Sequence, residues 1–207
     1  MSGAASHVRA QEDSLPKVSV GLLAGSAGTS AGSLKVRGYE GHLHRRVGFA
    51  LSVPLRLGGD RFGFVVAPML QTSKIFHTRR DAYGNPIGNR EVHLLGLGGY
   101  LGPAYTARLA HRLWLSFGLG IKALYLRNSA FRYAADFYAR VPITLLFYDT
   151  DKIALCAEIG AGYGASALAN LPQPVFNPVT NKLTLGDANP SFGLGATWDF
   201  ALGISFP

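Results

Sequence analysis

Charge is what this chain has least of. Only 15% of its 207 residues are Asp, Glu, Lys or Arg, where soluble proteins carry roughly a quarter. A solvated surface of ordinary composition is hard to build from so few. No run of about 18 uninterrupted apolar residues occurs either, which excludes a membrane-spanning helix. Cysteine occurs once, at Cys156, so an intramolecular disulfide framework is excluded. Acidic residues are the scarcer sign, 12 against 20 Lys and Arg, giving a net charge of +8. That balance suits anionic surroundings: nucleic acid, lipid head groups or acidic polysaccharide. No nucleic-acid reading motif accompanies it.

What the chain does have is alternation. From Ser191 to Pro207, "SFGLGATWDFALGISFP" places Phe192, Leu194, Trp198, Phe200, Leu202, Ile204 and Phe206 at every second position, with Ala196 in the one small slot. Successive side chains of a strand point to opposite faces, so this is a strand with one large apolar side. The same pattern recurs from Val18, and over Val47–Leu57, Phe62–Leu70, Leu113–Tyr125, Tyr133–Phe147 and Ile153–Tyr163. Residues 91–106 also read as a strand, but the glycines of "HLLGLGGYLG" hide which face is which. The expected total is eight strands. Residues 1–16 lack the apolar segment of a complete signal peptide, although Val8 and Ala10 fit a cleavage site. They read as a disordered leader or a signal-peptide remnant, and 17–207 as one domain.

Two features choose between a core and a bilayer for the apolar face. The connections alternate: tight turns at Gly58–Asp60, Arg108–Arg112 and Asp149–Lys152, and longer links over 26–45, 74–90 and 167–190. Arg127–Ala130 is the one short link of the second set. Short turns at one end and longer loops at the other mark an up-and-down barrel of the outer-membrane kind. The second feature is the opposite face, which is mostly Gly, Ser, Ala and Thr with isolated charges at Arg56, Lys122, Asp136, Arg140, Glu158 and Asp199. Such a face is too sparse for a solvated exterior and suits a narrow lumen filled by side chains. The expected fold is therefore an all-β, eight-stranded antiparallel up-and-down transmembrane barrel, its large residues meeting lipid. Tyr133, Phe147, Phe192 and Phe206 would supply the aromatic girdles.

In this pattern the chain resembles the small eight-stranded bacterial outer-membrane barrels of the OmpX, OmpW and OmpA-transmembrane-domain kind. Its "GATWDFALGISF" is similar to the terminal signal read by the barrel-assembly machinery, with Gly195, Trp198, Phe200, Leu202, Ile204 and the final aromatic Phe206 in the matching roles. Pro207 after that aromatic departs from the usual pattern. The resemblance implies a Gram-negative outer-membrane location.

Candidate sites are few. His42 and His44 near Glu40 form an H-x-H of the sort that binds metal, but a solvated basic loop explains them better, and no metal or cofactor is expected. Ser129 follows a strand, as in outer-membrane lipid hydrolases, which it resembles in architecture. Those enzymes carry His two residues earlier, where this chain has Arg127, so no general base activates the hydroxyl and no enzyme is expected. The basic residues Lys35, Arg37, Arg45, Arg46, Arg79, Arg80 and Arg90, with Lys74, Arg127 and Arg132, collect at the long-loop end. A cationic rim there would lie among lipopolysaccharide phosphates or acidic sugars.

Inside the lumen, a turn at Arg127–Ala130 places Lys122 opposite Asp136, with Arg140 and Glu158 extending the network across the next hairpin. A lumen so filled should conduct little or nothing. The expected role is structural or interactive, presenting basic extracellular loops, with lipopolysaccharide, the assembly machinery and other envelope proteins as partners. A narrow pore or conduit for small or apolar molecules is the alternative, and a lipid-modifying enzyme the third reading.

Overall fold

A computed structural model describes residues 15–31, 34–36, 39–41, 44–59, 61–80, 86–128, 131–150, 152–170, 174–177, 182–185 and 190–207, with side chains over 15–29, 47–59, 61–74, 93–127, 135–150, 152–167 and 193–207. Ten hydrogen-bonded segments form one sheet. Two pairs of them are single strands with a local break, so the strands number eight. These are β1 (Val18–Ala31), β2 (His44–Ser52 and Leu55–Gly58), β3 (Phe62–Arg80), β4 (Pro86–Ala110), β5 (Leu113–Gly118 and Gly120–Asn128), β6 (Phe131–Thr150), β7 (Ile153–Asn170) and β8 (Pro190–Phe206).

The breaks have a plain cause. Pro54 cannot donate to the ladder in β2, and Leu119 lies between two prolines of neighbouring strands. It donates its N–H to Pro103 O at 3.1 Å, and the residue before it, Gly118, packs on the Pro142 ring.

Every strand pairs antiparallel with the next, and β8 closes on β1 from Val20↔Phe206 to Ala31↔Gly195. Closure removes all edges, as a sheet crossing hydrocarbon requires. Following paired residues once around goes from Val20 to Leu55, Val66, Leu101, Ile121, Ala139, Tyr163 and Ala196, and returns to β1 at Ser30. That ten-residue stagger tilts the strands into the range of about 35–45° found in narrow barrels.

The side chains alternate as the pleat demands. Leu22, Phe49, Phe64, Leu97, Ile121, Phe137, Ile159 and Phe200 are all exposed on the outside. A continuous apolar exterior on this scale has no place in water and matches a lipid-facing band. In the stretch 91–106, Leu95, Leu97, Leu101 and Tyr105 face out while Leu94, Tyr100, Ala104 and Thr106 face in, which resolves the ambiguous strand.

Three expectations are corrected. The link expected over 74–90 is mostly strand: β3 and β4 stay paired from Lys74↔His93 to Arg80↔Pro86, leaving only 81–85 between them. A hairpin ladder can continue past the bilayer, where polar side chains are solvated on both faces. Likewise β1 runs to Ala31 and β2 starts at His44, while β7 runs to Asn170 and β8 starts at Pro190. Between them lie short hairpins at Leu34–Val36 with Tyr39–Gly41 and at Pro174–Asn177 with Lys182–Leu185.

Leu15, assigned to the leader, is buried and packs with Leu23, Trp114, Leu146 and Cys156. These apolar side chains form a stopper at the short-turn end of the lumen.

Candidate functional site

The lumen is organised around Arg140. Its neighbours Ala139 and Val141 face lipid, so the pleat turns Arg140 inward. Its Nε donates to Asp199 Oδ2 at 2.9 Å and its Nη2 to Glu158 Oε1 at 2.7 Å; Nη2 also meets Asp199 Oδ1. Thr144 Oγ1 donates to the other Glu158 oxygen at 2.8 Å. Lys122 Nζ lies 3.8 Å from Asp199 Oδ2, which places that carboxylate between two cations. The Tyr100 ring stacks 5.2 Å from the guanidinium. Gly160 makes this possible: a Cβ there would collide with Asp199 Oδ1 and the Arg140 guanidinium.

Two further clusters flank this layer. Toward the loops, Ser166 Oγ donates to Asp136 Oδ1 at 2.6 Å and accepts from Tyr138 Oη at 2.7 Å. Toward the turns, Arg56 Nη1 donates to Thr106 Oγ1 at 2.5 Å, and Thr106 Oγ1 donates to Ser116 Oγ at 3.0 Å. Below the Arg140 layer, Gly21, Pro54, Ala67, Gly118 and Pro142 leave a chamber of about 70 Å³. Lys122, Arg140, Arg56, Asp136, Glu158 and Asp199 thus all lie inside the barrel, three cations against three anions. Paired charges of this kind can hold strands in register and obstruct the lumen.

The register of the β5–β6 hairpin differs from expectation. Lys122 faces Tyr138 and Asp136 faces Leu124, two residues on from a direct Lys122–Asp136 facing. Asn128 faces Phe131, and a bulge between Phe131 and Ala134 takes up one extra residue. The offset is even, so both charges keep the inward face.

Several lumen residues carry no charge to announce them. Tyr100 and Thr106 sit on the strand whose faces were unreadable. Ser166 and Ser116 could have been placed by parity alone.

Of the basic rim, Arg37 lies outside the described residues, and the side chains of Lys35, Arg45, Arg46, Arg79, Arg80, Arg90 and Arg132 do as well. The backbones of Arg79, Arg80 and Arg90 belong to the β3–β4 hairpin. Lys74 and Arg127 are described and exposed. His42 and Ser129 lie outside the described residues, as do the side chains of Glu40 and His44. On β8, Trp198, Phe200, Leu202 and Phe206 face outward, Ile204 is half-buried and Gly195 faces the lumen. Phe147 is exposed near the short turns; the side chains of Tyr133 and Phe192 are outside the described set.

No family model and no curated protein matches the chain. Solved structures do. The outer membrane protein OprG from Pseudomonas aeruginosa superposes with a TM-score of 0.58 at 8% identity, over 91% of this chain and 94% of that one. Neisserial surface protein A superposes with a TM-score of 0.51 at 11% identity, over 92% and 97%. Identities this low speak to architecture alone. Closed by eight antiparallel strands and matched along nearly its whole length, the chain has the fold of the small bacterial outer-membrane β-barrels.

Proposed function

We propose that this chain is a non-catalytic barrel of a Gram-negative outer membrane whose role is interaction rather than transport. The observation that carries the reading is the Arg140–Asp199–Glu158–Lys122 layer across the lumen. A barrel of eight strands has an interior just wide enough for side chains, and here that interior is spent on neutralised ion pairs. The apolar stopper of Leu15, Trp114, Leu146 and Cys156 narrows the short-turn end further. Function then falls to the loop end, where the chain's excess of Lys and Arg would meet lipopolysaccharide phosphates or acidic sugars. An accessory place in a larger envelope complex, delivered by the barrel-assembly machinery, fits the same reading.

One observation favours a second reading, a narrow conduit: the chamber below Arg140, lined by small residues such as Gly21 and Gly118 together with Arg56, Arg140 and Glu158. Planar-bilayer recording separates the two. The interaction reading expects no steady conductance from the wild type. Stable, ohmic channels from the folded wild-type protein would support the conduit instead.

A further inference from the structure

We propose that the chamber under Arg140 is a vestibule of the short-turn end, a site for water and small uncharged hydrogen-bonding solutes, and that Leu15 is the plug that shuts it. This goes beyond the interaction reading above and rests on the barrel fold alone. The chamber is polar where an occupant would sit. Tyr100 is only 2% exposed and lines it, and its hydroxyl has no hydrogen-bond partner among the described residues. That oxygen lies over Gly102 and Gly118, where any Cβ would collide with it. Ser116, Thr144 and Glu158 line the same space. Ser116 and Thr144 face each other across the β5–β6 ladder, and each ends a hydrogen-bonded run. One run goes from Arg56 through Thr106 to Ser116, the other from Arg140 through Glu158 to Thr144. A buried water needs two to four polar partners and about 10–15 Å³ of such space. The chamber, at about 70 Å³, meets both conditions for several. Removing the Tyr100 hydroxyl would take away one partner among several.

The way in is from the turns. On the loop side the ion pairs, and beyond them Leu94, Leu124 and Leu126, each no more than 3% exposed, fill the lumen. On the turn side the chamber floor is Leu23, Leu146 and Cys156. Leu15 does not line the chamber, but packs on these same three residues together with Trp114. The other members of this stopper are built into β1, β5, β6 and β7. Leu15 is not. The β1–β2 ladder begins at Val18↔Leu57, next to a bond from Gly58 N–H to Lys17 O at 2.9 Å. Pro16, between Lys17 and Leu15, has no N–H to give to any ladder. Leu15 can therefore leave the lumen without parting a pair of strands, whereas Leu23, Trp114, Leu146 and Cys156 cannot. A short opening of this kind belongs to the least stable level of a fold, well below global unfolding.

The full chain in phosphatidylcholine nanodiscs carries its own reporters. Its single cysteine, Cys156, lies on the chamber floor. Tyr100 has a matched control in Tyr138, also 2% exposed but hydrogen-bonded to Ser166. Hydroxyl radicals generated from water by X-rays should label Tyr100 several times faster than Tyr138 in the wild type. Methyl methanethiosulfonate, a small uncharged solute, should modify Cys156 about tenfold faster or more in Leu15→Gly than in the wild type. Leu15→Met, which keeps the bulk, should stay near the wild-type rate. No steady current is expected from Leu15→Gly, because the loop half remains filled. Tyr100 as protected as Tyr138 would overturn the hydrated chamber. A Cys156 rate indifferent to Leu15→Gly would overturn the plug, and steady current from that variant would overturn the dead end. The tyrosine comparison needs no variant. A gel shift on boiling reports whether Leu15→Gly is folded, and if the shift is lost, Leu15→Ala, with a rate between the two, decides the plug in its place.

Discussion

Ile121 and Lys122 are neighbours on β5, yet one is 60% exposed and the other 1%. In a soluble protein these values would be exchanged. Everything about the barrel follows from that reversal: the wall is greasy and uniform, and the lumen is polar and particular. On the wall, any large apolar residue serves, because lipid packs against all of them alike. In the lumen each charge has a partner at a defined distance, so single changes there should be felt far more sharply.

Arg140 should show the largest effect. Arg140→Met takes the cation from Glu158 and from one side of Asp199, and removing one member of a buried ion pair typically costs about 3–5 kcal/mol. Adding Glu158→Leu, which keeps Asp199 beside Lys122, should recover much of the loss. Urea unfolding of the three proteins in lipid vesicles measures it, and equal stability throughout would deny the network its structural role.

The wall should respond next, and by depth. Ile121→Arg places a cation within the apolar band, where the cost is about 2–4 kcal/mol, whereas Leu194→Arg near the loop end should cost only about 0–1 kcal/mol. A cost that does not vary with depth would break the contrast between wall and lumen.

Tyr100→Phe should have the smallest effect. The Tyr100 hydroxyl is buried with no hydrogen-bond partner among the described residues, and its oxygen is wedged above Gly102 and Gly118. Removing a buried polar group that has no partner is nearly neutral or stabilising, so the change should lie within about 1 kcal/mol of wild type. The ring keeps its place against Arg140. A loss of several kcal/mol would mean that the hydroxyl has a partner of consequence.

Much of this contrast is legible in the amino-acid order, because a period of two exposes both faces at once. Lys122, Asp136, Arg140, Glu158 and Asp199 are recognisable as inward simply by falling between large apolar residues. Parity fails where glycine occupies both faces: Gly96 and Gly98 lie on the lumen side of β4 and Gly99 on the other, so its pattern says nothing until β3 and β5 are paired against it.

Register is less legible than face. A bulge at Phe131–Ala134 changes partners without leaving a local signature, and together with the closing pair Asn128↔Phe131 it puts Lys122 two residues from a direct facing with Asp136. The reach of β3 and β4 was also hidden, since "DAYGNPIGN" announces a turn without saying how late the strands part. Trp114 and Leu15 run against the rule of a polar lumen; their inward place depends on the stopper they build together at the short-turn end.

The inside-out assignment is tested most directly by a spin-label scan along β5 in lipid vesicles. With Cys156 replaced by Ser, labels go one at a time at Ser116, Phe117, Gly118, Leu119, Ile121, Ala123 and Leu124. Oxygen dissolved in the bilayer should relax the labels at Phe117, Leu119, Ile121 and Ala123 strongly, and those at Ser116, Gly118 and Leu124 weakly, giving a period of two. The opposite phase, or no periodicity, would contradict a wall of large apolar residues around a closed, charged lumen.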